Sequence, residues 1–293
     1  MDTIMQLSRY AKSINSDICF MGVPKTIDND LACTDHTPGY GSAAKYIATA
    51  MKEIIRDAKT YPNESVTIVE IMGRNAGWLT GASSLSRAED CDGPDLIYLP
   101  ERTFSHTKFL EDIKEHRREK RNLIIAVSEG VKTSNGKYVC EANKANTVTD
   151  AFGHKLLGGT ALYLSDFLTE STGLKSRGIV LSTLQRCASH LVSRRDITEA
   201  FMAGADAAVA AMKGVSGKMI VFNRISDAPY SIVTDICDIE KIANKEKIVP
   251  DAFITENGTG VNSAFDAYAR PLIIGELSPF MVDGLPRHLF IDK

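Results

Sequence analysis

The chain has 293 residues, of which 44% are hydrophobic and 24% are charged, so it can bury the core of one large domain or of two smaller ones. Its net charge of -3 gives no general attraction to nucleic acid or anionic lipid, and any phosphate must therefore be bound by local clusters of side chains. No stretch reaches the roughly 18 uninterrupted apolar residues that span a bilayer, and the first residues lack the order of a secretory signal. The sequence predicts a cytosolic protein that binds neither nucleic acid nor membrane.

Apolar runs rich in β-branched residues alternate with helical patterns along the chain. The runs predict buried strands at residues 17–23, 65–71, 95–99, 122–127, 178–181 and 218–222. Periodic apolar spacing predicts helices at residues 4–11, 39–60, 107–121, 152–172 and 196–212. This alternation predicts an α/β fold with mostly parallel sheets and with ligands at the C-terminal ends of the strands. No G-x-G-x-x-G follows a strand and no P-loop motif occurs, which disfavours a dinucleotide-binding oxidoreductase.

A loop of mixed charge follows the first predicted strand. Residues 24–30 read Pro-Lys-Thr-Ile-Asp-Asn-Asp, which places two carboxylates, an amide, a hydroxyl and an ammonium at the C-terminal end of a strand. A polar turn is the alternative interpretation, since Asp and Asn favour turns through hydrogen bonds to their own backbone. A lysine beside carboxylates suits a phosphate oxygen on one side and an acceptor hydroxyl on the other.

The string Gly-Val-Pro-Lys-Thr-Ile-Asp-Asn-Asp at residues 22–30 closely resembles the signature loop of the phosphofructokinases. The resemblance implies a glycolytic phosphotransferase that acts on the 1-hydroxyl of fructose 6-phosphate with Mg²⁺ as cofactor. It implies that Asp28 is the base that accepts the hydroxyl proton. It also implies that Thr26 and Asp30 position the substrate or the metal-bound phosphates, and that Ile27 contacts the substrate. An ionised carboxylate within hydrogen-bond reach makes a hydroxyl a better nucleophile.

Two further strand ends carry residues that match the family. Met72, Gly73 and Arg74 follow the second strand, and in the family this loop contacts the substrate, with the arginine facing phosphates. A structural role at a strand–helix junction is the alternative interpretation. Glu129 follows the fourth strand and resembles the glutamate that binds sugar hydroxyls. Where the short ATP-using members carry a phosphate-binding arginine ahead of Met72, this chain has Ser65.

Residues 177–190 match the family's run around a Gln-Arg pair. The resemblance implies that Arg186 holds the sugar 6-phosphate and that Thr183, Leu184 and Gln185 contact the substrate beside it. Arg177 corresponds to an arginine that reaches the site of a neighbouring subunit in short bacterial members. This correspondence predicts a homo-oligomer, either a dimer or a tetramer.

Lys25 bears on the phosphoryl donor. ATP-using members often have glycine just before the Thr-Ile-Asp-Asn-Asp string, whereas pyrophosphate-using relatives have lysine. A fixed ammonium there neutralises charge on the departing phosphate, an effect worth about 3 kcal/mol per well-placed donor, and it crowds the α-phosphate of a nucleotide. The resemblance thus favours pyrophosphate, although a solvated loop lysine is the alternative interpretation. An ATP-dependent phosphofructokinase and a sugar-phosphate-binding fragment or regulatory subunit that transfers nothing are the alternative functions.

The family architecture implies two Rossmann-like α/β lobes with the site between them. Residues 1–41 and 185–240 are expected in the donor-side lobe, and residues 42–184 and 241–293 in the fructose 6-phosphate lobe. The helical pattern at the start has no preceding strand, and the resemblance places a Gly-Gly-Asp loop with the metal ligand upstream of Met1. We therefore expect no direct metal ligand in the chain, with Asp30 just outside the metal's inner ligand sphere, and slow turnover by these residues alone.

Overall fold

The computed structural model describes residues 1–142 and 157–288. The α-helices are α1 (Asp2–Ser13), α2 (Tyr40–Lys59), α3 (Trp78–Gly81), α4 (His106–His116), α5 (Thr160–Thr172), α6 (Leu184–Cys187), α7 (Arg194–Met212) and α8 (Ser263–Ala269). The strands are β1 (Met21–Gly22), β2 (Ser65–Ile71), β3 (Leu96–Tyr98), β4 (Asn122–Ser128), β5 (Ser176–Val180), β6 (Lys218–Asp227), β7 (Tyr230–Asp238), β8 (Met281–Val282) and β9 (Leu285–Pro286). Turns of 3₁₀ helix cover Ala82–Ser86, Val139–Ala142, Ser189–Leu191, Ile239–Lys241, Asp251–Phe253 and Arg270–Ile273. The predicted α/β class is confirmed.

The larger sheet is parallel throughout, and its four strands lie in the order β3-β4-β2-β5. The register pairs Ile71 at the end of β2 with Ser128 at the end of β4. It also pairs Glu70 with Val180, the last residue of β5. The C-terminal ends of these three strands therefore lie side by side, at the edge of the sheet where α/β proteins bind ligands.

Hydrophobic cores cover both faces of this sheet. Ile124 and Ala126 of β4 join the core formed with α2, while the alternate residues Leu123, Ile125 and Val127 join the core formed with α5. Side chains of a strand point to opposite faces in turn, so a strand buried on both faces must be apolar at nearly every position. This is why β4 shows as an unbroken apolar run in the sequence.

Helix α2 confirms the apolar stripe of the sequence, because Tyr40, Ala44, Ile47 and Met51 are all fully buried. Burial of each large side chain of this kind contributes about 2 kcal/mol. The helix begins after Gly39 without a cap from its own side chains.

The cap of α2 comes instead from α7. The Asp196 carboxylate accepts hydrogen bonds from the Gly39 amide at 2.7 Å and from the Ser42 amide at 3.1 Å. Negative charge at a helix N-terminus is favourable because unpaired amides and the helix dipole meet there. This contact fixes the residues that follow the acidic loop.

The second sheet differs from the sequence prediction. It has three strands in the order β1-β6-β7, with β1 parallel and β7 antiparallel to β6. The strand predicted at residues 17–23 is only two residues long, Met21–Gly22. Its partner β6 begins at Lys218, directly after Gly217, which has φ 71°. Residues 17–20 therefore have no partner strand. Strand β7 was not predicted because it is partly exposed and so is no continuous apolar run.

Several helix and strand ends also differ from prediction. The helix predicted at 107–121 ends at His116, because the charged run that follows has no apolar face to bury. The helix predicted at 152–172 begins at Thr160, after Gly159 in a left-handed conformation, and residues 152–156 lie outside the described residues. The strand predicted at 218–222 continues to Asp227, because its second half is partly exposed and so is no continuous apolar run. The remaining predicted strands and helices match to within about two residues, the usual uncertainty of element ends. In the described ranges no helix is long and apolar enough to cross a membrane.

Candidate active site

The acidic loop at residues 24–30 faces the C-terminal edge of the larger sheet. Four charged groups act on the Asp28 carboxyl, and they belong to Asp30, Arg74, Arg186 and Lys25. Arg74 follows β2, and Arg186 lies in α6, just after β5. Three segments that are distant in the sequence therefore meet around one carboxylate, and the cationic side chains there are exposed.

The electrostatic environment of Asp28 favours proton transfer. Burial raises the pKa of this carboxyl from 3.8 to about 6, and repulsion by Asp30 adds to the rise, while Arg74, Arg186 and Lys25 oppose it. A carboxylate with this pKa is still ionised at neutral pH, and it is a stronger base than an ordinary aspartate. Burial raises the pKa of Asp30 as well.

Hydrogen bonds fix the backbone of the acidic loop. The Thr26 hydroxyl accepts from the Asp28 amide at 3.1 Å, and the Thr37 hydroxyl donates to the Thr26 carbonyl at 2.7 Å. The Thr26 hydroxyl also contacts the Asp30 carboxyl and holds its pKa down. Thr26 thus links the Asp28 backbone to the Asp30 carboxyl.

Asn29 lies between those carboxylates and is fully buried, with φ 57°. Its Nδ2 donates to the Tyr268 hydroxyl at 2.8 Å. Its Oδ1 accepts from the Thr37 amide at 3.1 Å and from Lys247 Nζ at 3.3 Å. Asparagine tolerates the left-handed backbone better than other non-glycine residues, which explains its place in the string. The anchoring of both polar ends of its side chain fixes the loop conformation.

Glu129 holds the loop that follows β2. Its Oε1 accepts from the Gly73 amide at 3.3 Å and from the Arg74 amide at 3.2 Å. Burial raises the pKa of Glu129 to about 7, with contributions from Glu70 and Asp28, whereas the two amides oppose the rise. Near neutral pH this side chain is therefore present in both forms, and the neutral carboxyl can donate a hydrogen bond as well as accept one.

Gly130 allows the same loop to approach β4 closely. A Cβ at this position would lie 1.4 Å from the Arg74 carbonyl oxygen. Any side chain at residue 130 must therefore displace the Arg74 loop. No motif in the sequence indicates a role for this glycine.

Gln185 links the ends of β2 and β5. Its side-chain oxygen accepts from the Met72 amide at 3.2 Å, and its Nε2 donates to the Ser182 carbonyl at 3.0 Å. Thr183 and Leu184 are exposed beside it. Next to them opens a cavity of about 270 Å³ whose lining includes Ile27, Tyr46, Gln185 and Arg186. Ile27 of the acidic loop thus shares one cavity with Gln185 and Arg186 of α6.

Arg177 does not join this group within the chain. Its register partner on β2 is Thr67, in the first half of that strand, and its guanidinium lies 3.7 Å from the Asp57 carboxylate. A second cavity, of about 430 Å³, is lined there by residues that include Ser65 and Lys175. Arg177 therefore lies away from the C-terminal edge of the sheet, and its predicted contact with a neighbouring subunit remains a prediction.

Glu70 occupies the N-terminus of α5. Its buried carboxylate accepts from the Gly159 amide at 3.0 Å and from the Ala161 amide at 2.9 Å. Helix N-termini attract anions, and here a side chain of the protein takes that position. Glu70 was missed in the sequence, where it counts only as one residue of an apolar strand.

Two carboxylates, Asp28 and Asp30, are the acidic groups that the acidic loop presents. Within residues 1–142 and 157–288 no group of three or more His, Cys, Asp or Glu side chains could hold a metal ion by itself. Magnesium at phosphoryl-transfer sites is commonly held by one or two carboxylates together with substrate phosphates and water. The repulsion between Asp28 and Asp30 is of the kind that a nearby cation would relieve.

Known proteins resemble this chain over nearly its whole length. The sequence profile for "Phosphofructokinase" matches residues 1–211. The pyrophosphate–fructose 6-phosphate 1-phosphotransferase of Xanthomonas campestris is 38% identical over 291 residues, which cover 98% of this chain and 69% of that protein. The homologue with the same name from Halomonas elongata is 36% identical over 288 residues, or 98% of this chain and 68% of that protein.

A solved structure shares the fold. The crystal structure of a pyrophosphate-dependent phosphofructokinase from Nitrosospira multiformis superimposes with a TM-score of 0.87 at 34% identity, covering 98% of this chain and 68% of that one. The resemblance inferred from the signature loop is thereby confirmed over much more than the loop. The chain belongs to the phosphofructokinase family.

Proposed function

We propose that this chain transfers a phosphoryl group from pyrophosphate to the 1-hydroxyl of fructose 6-phosphate, giving fructose 1,6-bisphosphate and inorganic phosphate. The observation that carries the proposal is the environment of Asp28, on which Lys25, Arg74 and Arg186 all act. The names of the Xanthomonas and Halomonas relatives support the same donor and acceptor.

The chemistry follows from the position of Asp28. The sugar 1-oxygen attacks a phosphorus of pyrophosphate while its proton passes to the Asp28 carboxylate. The new oxygen–phosphorus bond forms as the bond from that phosphorus to the bridging oxygen breaks, and inorganic phosphate leaves. A raised pKa of about 6 makes Asp28 an effective acceptor that is still ionised at neutral pH.

Each of the three cationic residues is assigned to a different phosphate group. Lys25 lies in the acidic loop and neutralises the departing phosphate, while Arg74 faces the transferred group and Arg186 holds the sugar 6-phosphate. An arginine presents a planar fork of donors that suits phosphate oxygens, whereas a lysine acts as a compact charge. Phosphoryl transfer depends mainly on such positioning and charge stabilisation.

Glu129 and its neighbours are proposed to bind the sugar. With a pKa of about 7, Glu129 can accept from one sugar hydroxyl or donate to another. We assign further substrate contacts to the other residues of the same loops, namely Thr26, Ile27, Asp30, Met72, Gly73, Thr183, Leu184 and Gln185.

Mg²⁺ fits this site as a partner of pyrophosphate rather than as a metal held by the protein alone. Asp28 and Asp30 repel each other, and Asp30 lies at the same cluster as Arg74. We propose that Asp30 would help to hold the ion from outside its inner ligand sphere, together with the phosphates of pyrophosphate. The ion would supply further neutralisation of the phosphate charge.

The wider assignments rest on the family. We propose the two-lobe division given above, with residues 1–41 and 185–240 on the donor side and residues 42–184 and 241–293 on the sugar-phosphate side. We also propose that the protein is a cytosolic homo-oligomer in which Arg177 reaches a neighbouring site. Size-exclusion chromatography with light scattering tests the oligomeric state.

A coupled assay with each donor tests the function. The protein is incubated with fructose 6-phosphate, Mg²⁺ and either pyrophosphate or ATP, and fructose 1,6-bisphosphate is measured. We expect turnover with pyrophosphate to exceed turnover with ATP by at least about 100-fold, the effect of one well-placed charge in such a site. Preference for ATP would identify the alternative kinase. Binding of fructose 6-phosphate without turnover by either donor would instead support the sugar-phosphate-binding alternative.

A further inference from the structure

Lys247 is buried behind the acidic loop, in a segment that the sequence analysis left without a function. Its backbone amide donates to the Asp30 carbonyl at 2.7 Å, next to an isolated β-bridge between Leu31 and Glu246. The segment around Lys247 therefore runs alongside the residues that follow Asp28.

The Lys247 ammonium donates three hydrogen bonds, one to Asn29 of the acidic loop and two to residues that follow the loop. Its Nζ lies 2.7 Å from the Asp35 carbonyl, 3.2 Å from the Thr34 carbonyl and 3.3 Å from Asn29 Oδ1. An ammonium has three donors, so its hydrogen-bonding capacity is used fully. Among these acceptors Asn29 matters most, because it lies between Asp28 and Asp30.

Lys247 also contacts Trp78, the first residue of α3. Its ammonium lies 4.9 Å from the centre of the Trp78 ring, and Trp78 Nε1 donates to the Lys247 carbonyl at 2.9 Å. Trp78 opens the helix that follows the Gly73–Arg74 loop. One residue therefore contacts both the acidic loop and the helix that follows the Arg74 loop.

Burying this ammonium is unfavourable by itself. Burial lowers the pKa of Lys247 to about 8, while Asp35 and Asp30 oppose the fall and Arg224 adds to it. A buried charge is costly unless it is paired and hydrogen-bonded, and an apolar side chain at such a place is often at least as stable. A charge retained at that cost, beside the reacting groups, indicates a contribution to the site rather than to stability alone.

We propose that Lys247 is a positioning residue that fixes the Asp28–Asn29–Asp30 segment relative to Trp78. It thereby sets the orientation of the Asp28 carboxylate toward the sugar hydroxyl. The proposal rests on the proposed function. Lys247 touches neither substrate in this scheme, and its effect reaches the reaction through Asn29.

The test compares Lys247→Met, Lys247→Arg and the control Lys45→Met in the assay with pyrophosphate. Lys45 also donates to three acceptors, the carbonyls of Val192 and Gly275 and the Glu276 carboxylate, but these lie outside the acidic loop. We expect Lys247→Met to lower kcat by about 100-fold, the effect of a small misplacement of reacting groups, with little change in the KM for fructose 6-phosphate. Lys247→Arg is expected to recover most of kcat, and Lys45→Met to keep it.

A kcat within about threefold of the wild type in a folded Lys247→Met protein would overturn the proposal, since a misplaced base costs far more. Equal losses in the Met and Arg variants would overturn it as well. If Lys247→Met does not fold, Lys247→Gln, which keeps two N–H donors but loses the charge, is expected to lose kcat while remaining folded.

Hydrogen exchange separates this proposal from the proposed function. We expect amides of residues 29–37 to exchange faster in Lys247→Met than in Lys45→Met, whatever the wild-type donor proves to be. If the wild type does not use pyrophosphate, the proposed function fails while this readout still decides the role of Lys247 in the loop. Unchanged exchange at these amides would refute the positioning role.

Discussion

The Asp28 carboxylate is unfavourable for folding, although we propose it as the base of the reaction. Its pKa in the folded protein, about 6, lies above the ordinary value of 3.8 because burial disfavours the charge. For an acid whose pKa is raised on folding, the cost is absent below the ordinary value and complete above the folded one. At neutral pH it amounts to at most about 3 kcal/mol, since each pKa unit corresponds to about 1.4 kcal/mol.

We therefore predict opposite effects of Asp28→Asn on stability and on turnover. The variant should be more stable than the wild type in urea unfolding at pH 8, and the difference should vanish near pH 4. Its kcat should fall by about 10² to 10⁴-fold, because the hydroxyl loses its proton acceptor. A stabilised variant with normal kcat would contradict the assignment of Asp28 as the base.

Lys25 is the residue on which the donor assignment depends most. Its ammonium lies close enough to Asp28 to lower the pKa of that carboxyl. We predict that Lys25→Met lowers kcat with pyrophosphate by about 100-fold, because no charge then neutralises the leaving phosphate.

The control for Lys25 is Lys12→Met, which changes an exposed lysine in the last turn of α1. Steady-state assays of both variants with pyrophosphate make the comparison. Equal, small effects of the two changes would show that Lys25 is merely a solvated loop residue.

Residues of the candidate site were predictable from the sequence where they belong to a short contiguous motif. Asp28, Lys25 and Arg74 were found because neighbouring residues specify them together with a strand end. Glu70 and Lys247 were not, since a buried carboxylate in an apolar strand and a lysine in a loop have no local signature. Their partners lie far away in the sequence, at Ala161 and Asn29, and only the folded chain brings them together.

At the scale of elements, the close approach of two loops depends on Gly130. A Cβ there would meet the Arg74 carbonyl at 1.4 Å, so Gly130→Ala must move the Arg74 loop away from Glu129. We predict a loss of at least about 100-fold in kcat/KM for fructose 6-phosphate, because phosphate and sugar contacts shift together. Steady-state kinetics with pyrophosphate saturating measure it.

Gly204→Ala is the matched control, since nothing lies within 4 Å of a Cβ built on this glycine of α7. Alanine in a helix interior is favoured over glycine by about 0.5 to 1 kcal/mol, so the control should raise the melting temperature and keep activity. If Gly130→Ala behaves like Gly204→Ala, the loop is more adaptable than its backbone contact indicates.

The elements themselves were predictable to different degrees. Helix α2 was found almost to the residue, because its apolar stripe of Ile47 and Met51 repeats at helical spacing. Strands β2 and β4 were found because both of their faces are buried. Strand β7 was missed and β1 overextended, because pairing with β6, rather than apolar content, decides where each of them begins and ends.

At the scale of the whole molecule, a buried polar network joins two strands of the second sheet to α7 and to residues that follow the acidic loop. His36 lies between the Asp35 carboxylate, 2.8 Å from its Nδ1, and the Glu199 carboxylate of α7, 2.7 Å from its Nε2. Arg224 of β6 donates to the same Asp35 oxygen at 2.9 Å, and the Tyr230 hydroxyl of β7 donates to Glu199 at 2.8 Å. The network therefore anchors the β6–β7 hairpin to Asp35 and His36, which follow the acidic loop.

His36 makes this anchoring dependent on pH. Burial by itself lowers its pKa, but hydrogen bonds that the protonated imidazole donates to the Asp35 and Glu199 carboxylates, together with their charges, raise the pKa above 6.5. For a base whose pKa is raised on folding, the stabilisation is complete below the ordinary value and is lost as pH rises through the folded one. Other groups titrate in the same pH range, since Glu129 has a pKa of about 7 and Lys247 has a pKa of about 8. A comparison with a variant is therefore needed to isolate His36.

We predict that His36→Gln lowers the free energy of unfolding by about 3 kcal/mol at pH 6, because a buried pair loses its cationic partner. The difference from the wild type should shrink as the pH rises through the raised pKa of the wild-type imidazole, which then loses its proton. Urea unfolding of both proteins at several pH values measures this difference. A loss that stays constant across the range would show that His36 is neutral in the folded protein and that the hairpin is held by Arg224 and Tyr230 without it.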